Sequence, residues 1–267
     1  MTSKLTILVS NDDGIQAAGI RTLVTWLSKY HNVIVVAPDR ERSAMGHALT
    51  LHKPLRVDEV PFETSSEFPV QAAYSVTGTP SDCIKLALNA ILDQRPDVVI
   101  SGINHGPNLG NDVLYSGTVS AALEGAIHGL PSVAISLFNG STKGADFNPS
   151  AQFLCEYLPT ILAAKLPTRT VLNLNTPTAS YEDIKGVRLC KLGTRTYSDD
   201  YDRRLDPRGN VYYWLAGEVV LGNEEIKDTD SWAVQHNYVS ATPIHFDLTH
   251  EAVLNNPTVH KALTFSR

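Results

Sequence analysis

The chain opens on a nearly continuous apolar run, Leu5–Ser10, that ends in a polar break, Asn11-Asp12-Asp13-Gly14. Such a run offers no polar face to water, which is the pattern of a strand buried on both sides. Past the break, Ile20, Leu23, Val24 and Leu27 recur at helical spacing, and a second apolar strand covers Val33–Ala37. Strand, helix and strand in close succession make a βαβ crossover, which implies a parallel sheet. The alternation continues. Pro80–Leu92 reads as a helix with Ile84, Leu88 and Ile91 on one stripe, Val98–Ser101 as a strand, and Val119–His128 as a helix. Ser132–Ser136, Ala151–Leu162 and Thr170–Leu174 repeat strand, helix and strand. The fold class this predicts is α/β: a Rossmann-like, mostly parallel sheet with helices on both faces.

From about Val187 the helical period fades, and Val211–Leu215 and Tyr238–Ala241 look like strands set between Gly, Asp, Asn and Pro. The expected division is a Rossmann-like catalytic domain over 1–186 and a strand-rich C-terminal region with an arm over 187–267. The alternative is one domain over 1–267, the second region packing on the first. That region carries Tyr212, Tyr213, Trp214, Trp232 and Tyr238 but too few strands to close a core of its own. Its apolar face must therefore pack on the main domain or on another subunit.

Composition narrows the function. At 267 residues, with 43% hydrophobic and 19% charged, the chain can bury an ordinary globular core without disulfides. A formal net charge of −6 argues against a stable nucleic acid complex, whose affinity comes from neutralising phosphates. It leaves small anionic substrates open, because a pocket can be locally positive. Cys83, Cys155 and Cys190 form no CxxC pair, which removes zinc-ribbon and thioredoxin-type sites. With no secretory leader pattern and no apolar stretch of membrane-span length, a cytoplasmic protein is expected.

In an open parallel sheet, ligands bind beyond the carboxyl ends of the strands. Three loops there carry suitable chemistry: Ser10-Asn11-Asp12-Asp13, Pro38 through Ser43, and Gly102-Ile103-Asn104. Adjacent carboxylates past a buried strand repel each other unless something neutralises them, and a divalent cation does so. Mg²⁺ and Mn²⁺ take hard oxygen ligands, so Ser43 and the side-chain oxygen of Asn104 are suitable neutral partners to Asp12 and Asp13. The same Asn-Asp-Asp-Gly is also good turn chemistry and could cap a helix.

The stretch Ser101–Gly125 is a glycine-rich loop entering a helix, without GxGxxG or the GK[ST] ending of a P-loop. Ser116-Gly117-Thr118 just before the helix could cradle a phosphate with backbone N–H groups and hydroxyls, or could merely cap it. Asn108 could orient that phosphate or hold a turn. His47 and His105 fall in the same loops, as proton donors or as packing residues. There is no HExxH and no Gly-x-Ser-x-Gly elbow, so zinc-protease and serine-hydrolase readings fail. Arg40, Arg42 and Lys53 could raise the local potential or be solvated.

Taken together, Asn11-Asp12-Asp13-Gly14, Ala37-Pro38-Asp39-Arg40, Thr77 through Cys83 and the Ser101–Gly125 block resemble the SurE family of survival-protein nucleotidases. The likeness extends through Asp206-Pro207-Arg208-Gly209, Thr229-Asp230 and Val239 through Pro243. The resemblance implies a metal-dependent phosphatase for nucleoside 5′- and 3′-monophosphates, with minor activity on polyphosphate. It implies one divalent ion per subunit, Mg²⁺ or Mn²⁺, on Asp12, Asp13, Ser43 and Asn104, and a phosphate held by Asn108, Ser116, Gly117 and Thr118. Asp12 and Asp13 would be the catalytic carboxylates. It also implies a homodimer or homotetramer with an exchanged C-terminal arm. Ala44, Pro107 and the segment 138–148 depart from the family pattern and bear on substrate preference.

Overall fold

A computed structural model describes residues 4–138, 144–198, 200–217, 219–220 and 226–264, so part of the divergent segment 138–148 lies outside the described residues. The strands are β1 (Thr6–Ser10), β2 (Asn32–Pro38), β3 (Val57–Glu59), β4 (Ala72–Val76), β5 (Val98–Asn104), β6 (Ser132–Leu137) and β7 (Thr170–Thr176). The C-terminal region adds β8 (Val187–Leu189), β9 (Thr196–Tyr197), β10 (Tyr201–Leu205), β11 (Val211–Leu215), β12 (Val219–Val220) and β13 (Val239–His245). The helices are α1 (Ala18–Leu27), α2 (Pro80–Leu86), α3 (Gly117–Ile127), α4 (Asn148–Ala163), α5 (Asp230–Gln235), α6 (Glu251–Leu254) and α7 (Pro257–Leu263).

One sheet runs β3-β4-β2-β1-β5-β6-β7-β13-β8, and every neighbouring pair from β4 to β7 is parallel. The middle strands are apolar on both faces because both are covered. Ile7, Leu8, Val9, Val98, Val99 and Ile100 are fully buried. Helices α1 and α4 pack together over one face, and α2 and α3 over the other. The chain turns from β1 outward to β2 and β4, then re-enters on the other side as β5. The order therefore reverses between β1 and β5, and a crevice opens at their carboxyl ends.

Several elements differ from the sequence reading for identifiable reasons. β4 is absent from it because Ala-Ala-Tyr-Ser-Val near the sheet edge is only partly buried and lacks an apolar run. β5 continues three residues beyond Ser101, through an irregularity against β6, and so carries Asn104 itself. α2 stops at Leu86 and passes into a wider π turn over Ala87–Ile91. α3 starts two residues early, at Gly117.

The region beyond Val187 splits. β13 pairs antiparallel with β7, and β8 adds parallel to β13, so both extend the main sheet. Among the described residues, the hairpin of β10 and β11 pairs only with itself, with Tyr201 opposite Leu215 and Leu205 opposite Val211.

One glycine sets how closely α1 approaches the crevice. A Cβ on Gly19 would lie 1.9 Å from the carbonyl oxygen of Ile103, the residue before Asn104. Gly19→Ala should force α1 and the end of β5 apart and cost about 1–3 kcal/mol, as overpacking does. Urea unfolding checks this, and an unchanged midpoint would mean that α1 slides without penalty.

Candidate active site

Asp12 and Asp13 leave β1 at the reversal point. The Asp12 side chain is almost wholly buried, and the hydroxyl of Thr118, the second residue of α3, donates to its Oδ1. Gly117 makes the approach possible, since a Cβ there would sit 2.7 Å from Asp12 Cβ and 2.9 Å from Oδ2. The carboxylate thus faces the start of α3, where unpaired N–H groups and the helix dipole favour negative charge. Burial pushes the Asp12 carboxyl up to about 6. The Thr118 bond pulls it down and the Asp13 charge adds to the rise. Burial likewise raises Asp13, against the pull of His105. The backbone N–H of His105 donates to Asp13 Oδ2 at 3.0 Å, joining the ends of β1 and β5.

The loop after β2 supplies Ser43 and is fastened from several sides. Arg42 N–H donates to the Asp12 carbonyl (2.7 Å), and Gly46 N–H to the carbonyl of Tyr115 (2.9 Å). His47 Nε2 meets Glu124 Oε2 of α3 at 2.9 Å, and Thr79 Oγ1 donates to the Ala48 carbonyl at 2.7 Å. The Ser43 hydroxyl donates to Glu41 Oε1 at 2.7 Å. Arg42 Nη2 is spent on Asp39 and on the Thr77 carbonyl, so it braces the loop.

Asn104 donates its amide to the Gly106 carbonyl at 2.8 Å, leaving its side-chain oxygen available. Asn108 is buried and held on every side. Its N–H donates to Asn175 Oδ1 (2.8 Å), its amide to Ser136 Oγ (2.7 Å), and its carbonyl accepts from Asn173 and Asn175. Ser116 caps α3 by accepting from Val119 N–H at 3.0 Å, which leaves its hydroxyl proton free to donate.

One cavity of about 1160 Å³ gathers Asp12, Asp13, Ser43, Asn104, Asn108 and Ser116, together with Glu41 and His105. Thr118 is wholly buried behind it, bonded to Asp12, and Gly117 is packed beside it. His105 lies in the cavity with its ring stacked on Phe147, whereas His47 is turned away into the Glu124 pair. Among the described residues, no three or more His, Cys, Asp or Glu gather at metal-binding spacing. What the cavity offers is two carboxylates with neutral oxygens, a hard-oxygen set suited to Mg²⁺ or Mn²⁺ and poor for soft metals.

Sequence reasoning placed Glu41 in a chemistry-bearing loop without giving it a role, and missed the bond of Thr118 to Asp12 and the cavity wall of Asp112, Tyr115, Tyr197 and Tyr201. Glu41 was visible as an acid two residues before Ser43. The wall had no local signal, because it joins two distant segments.

Residues 7–199 match a family model described as survival protein SurE. The chain belongs to the SurE family. It is 54% identical over 246 residues to a protein named 5′-nucleotidase SurE from Gloeobacter violaceus, covering 92% of this chain and 91% of the relative. A 5′-nucleotidase SurE from Alkaliphilus metalliredigens is 51% identical over 246 residues, covering 91% of this chain and 94% of the relative. A crystal structure of the SurE protein from Aquifex aeolicus superposes with a TM-score of 0.79 at 40% identity, covering 96% of this chain and 99% of that one. The Aquifex aeolicus protein therefore matches this chain over its C-terminal region as well as over its sheet.

The raised Asp12 has a measurable consequence. Its folded value of about 6 lies above the usual 3.8, so folding takes up protons between those values. Without metal, stability should fall as pH rises from about 4 to about 6, by roughly 3 kcal/mol for this group. Asp12→Asn removes that loss. In chelator, its advantage over the native protein should grow by about 2 kcal/mol between pH 4.5 and pH 7.5. A constant difference across that range, measured by denaturant titration, would place the Asp12 carboxyl in its ordinary range.

Proposed function

We propose that this chain is a 5′-nucleotidase that hydrolyses the phosphate monoester of nucleoside monophosphates, with 3′-monophosphates and short polyphosphate as secondary substrates. The carrying observation is the carboxylate pair at the β1–β5 reversal, Asp12 buried and Asp13 partly so, backed by the start of α3 and opening into a cavity large enough to admit a nucleotide. The names of the SurE relatives support the same activity.

Asp12, Asp13, Ser43 and Asn104 would hold one Mg²⁺ or Mn²⁺ per subunit. When bound, that ion supplies charge neutralisation at the phosphoryl oxygens and acidifies a water. The chain's own residues do the positioning on which a loose phosphoryl-transfer transition state depends. Thr118 fixes the plane of the Asp12 carboxylate. Asn108, immobilised through β6 and β7, and Ser116 at the start of α3 present donors to the phosphoryl group, with the Gly117 N–H beside them and its missing Cβ making room for Asp12. The second Asp12 oxygen lies nearest the attacking water, as its acceptor, and direct attack by Asp12 on phosphorus is the rival route. A dehydrogenase on the same fold would want GxGxxG after β1, and Asn11-Asp12-Asp13-Gly14 stands there instead.

Phosphate release from a panel of nucleoside monophosphates is the direct test. Activity should vanish in chelator and return with Mg²⁺ or Mn²⁺. Unchanged release in chelator would defeat the metal, and no release from any member of the panel would defeat the activity.

The enzyme acts as a homodimer or homotetramer in this reading. On the hairpin of β10 and β11, Tyr213 and Trp214, which do not line the cavity, are each 60% exposed. So large an apolar display on two strands that pair only with each other calls for a cover, and a second copy supplies it. Unpaired thiols at Cys83, Cys155 and Cys190 suit a cytoplasmic location, and no described helix is long and apolar enough to cross a membrane. Sedimentation should find an oligomer, and Trp214→Asp with Tyr213→Asp should shift it toward monomer. An intact protein that is monomeric at micromolar concentration and active would overturn this.

A further inference from the structure

The cavity has a part that phosphoryl chemistry leaves unused. Besides the oxygen donors it is lined by Tyr115, Tyr197, Tyr201 and Leu215. A phosphate needs N–H and O–H donors and cations. It has no use for three aromatic rings and a leucine. Tyr115 directly precedes Ser116 at the start of α3, and Tyr201 and Leu215 pair across the base of the hairpin.

Tyr197 on β9 is held in a fixed pose. Its hydroxyl donates to Asp112 Oδ2 at 2.5 Å, and Arg195 Nη1 donates to the same oxygen at 2.6 Å. The Arg195 guanidinium lies over the ring, 5.9 Å from its centroid. Arg195 is itself anchored, its backbone N–H donating to Asn111 Oδ1 at 2.7 Å. Asn111 and Asp112 belong to the short turn Gly110–Leu114 that leads through Tyr115 into Ser116. One turn thus ties the ring to the phosphate end of the cavity, while Tyr197 stays 38% exposed.

We propose that Tyr197, which shares the cavity wall with Tyr115 and Tyr201, is the stacking platform for the nucleobase, and that it makes the enzyme prefer nucleoside monophosphates to base-free sugar phosphates. This rests on the nucleotidase reading and adds the residue that recognises the nucleoside. Stacking on an aromatic ring is available to every base. The platform therefore accepts purines and pyrimidines alike. Because Asp112 and Arg195 already hold the ring, little side-chain freedom is lost when a base settles on it.

The test compares kcat/KM for AMP with that for ribose 5-phosphate, with Mn²⁺ present, in the native enzyme, Tyr197→Ala and Tyr197→Phe. The native enzyme should favour AMP by about ten-fold or more, Tyr197→Ala should lower that ratio by about ten-fold, and Tyr197→Phe should largely keep it. Adenosine binding by calorimetry in chelator supplies a readout free of metal and turnover, and it should weaken in Tyr197→Ala. Equal kcat/KM for the two esters in the native enzyme overturns the platform and leaves the phosphatase standing, and this holds even if Tyr197→Ala does not fold. A native preference that Tyr197→Ala leaves intact also overturns it. No release from either ester, with adenosine bound and lost on Tyr197→Ala, would instead overturn the nucleotidase and keep the platform.

Discussion

Two adjacent carboxylates at the end of a strand buried on both faces are an expensive arrangement, because each raises the cost of ionising the other and burial raises both. The surroundings of Asp12 and Asp13 answer that cost. Thr118 and the start of α3 face one carboxylate, the His105 N–H faces the other, and Gly117 exists so that the helix can come this close. The remaining imbalance is visible in the raised Asp12, and it is a cost that a neighbouring positive charge would offset. The loop of Ser43 and the end of β5 with Asn104 are held around this centre by bonds that reach back to α2, α3 and β7.

The parallel core was legible because strands covered on both faces must be apolar throughout, and Leu5–Ser10 and Val98–Ser101 have no other use. The acidic pair stood out as two like charges in one turn after such a strand, although Asn-Asp-Asp-Gly is equally turn chemistry and only the fold places both carboxylates in the cavity. β4 was not legible, since a strand near the sheet edge is covered incompletely and loses its apolar run. The role of Thr118 was half legible. Its position before a helix marked it as a phosphate ligand or a cap, but its bond to Asp12 spans 106 residues and leaves no trace in local spacing. The same holds for Tyr197 and Asp112, 85 residues apart. Motif reasoning finds residues that act from one loop and overlooks pairs that meet only in the fold.

Some of the support is buried charge far from the cavity rim. Glu124 of α3 is 3% exposed and accepts from Lys85 at 3.0 Å while meeting His47. Burial alone would raise its carboxyl, and these two partners more than reverse that, leaving it below its ordinary range. The pair with His47 connects the Ser43 loop to the helix whose first turn faces Asp12. A single helix therefore sets the position of both.

The place of β13 has a consequence for how the protein is made. β8 has no partner until β13 arrives between it and β7, and the Gly110 N–H is held at 2.8 Å by Asp230, only nine residues before β13 begins. On a ribosome the N-terminal strands and helices emerge first and can collapse as a unit. The glycine-rich turn beside the cavity acquires its anchor only when Asp230 of α5 has been synthesised, and β8 its partner only with β13. A chain cut before α5 would hold both aspartates and still lack the bond that fastens this turn.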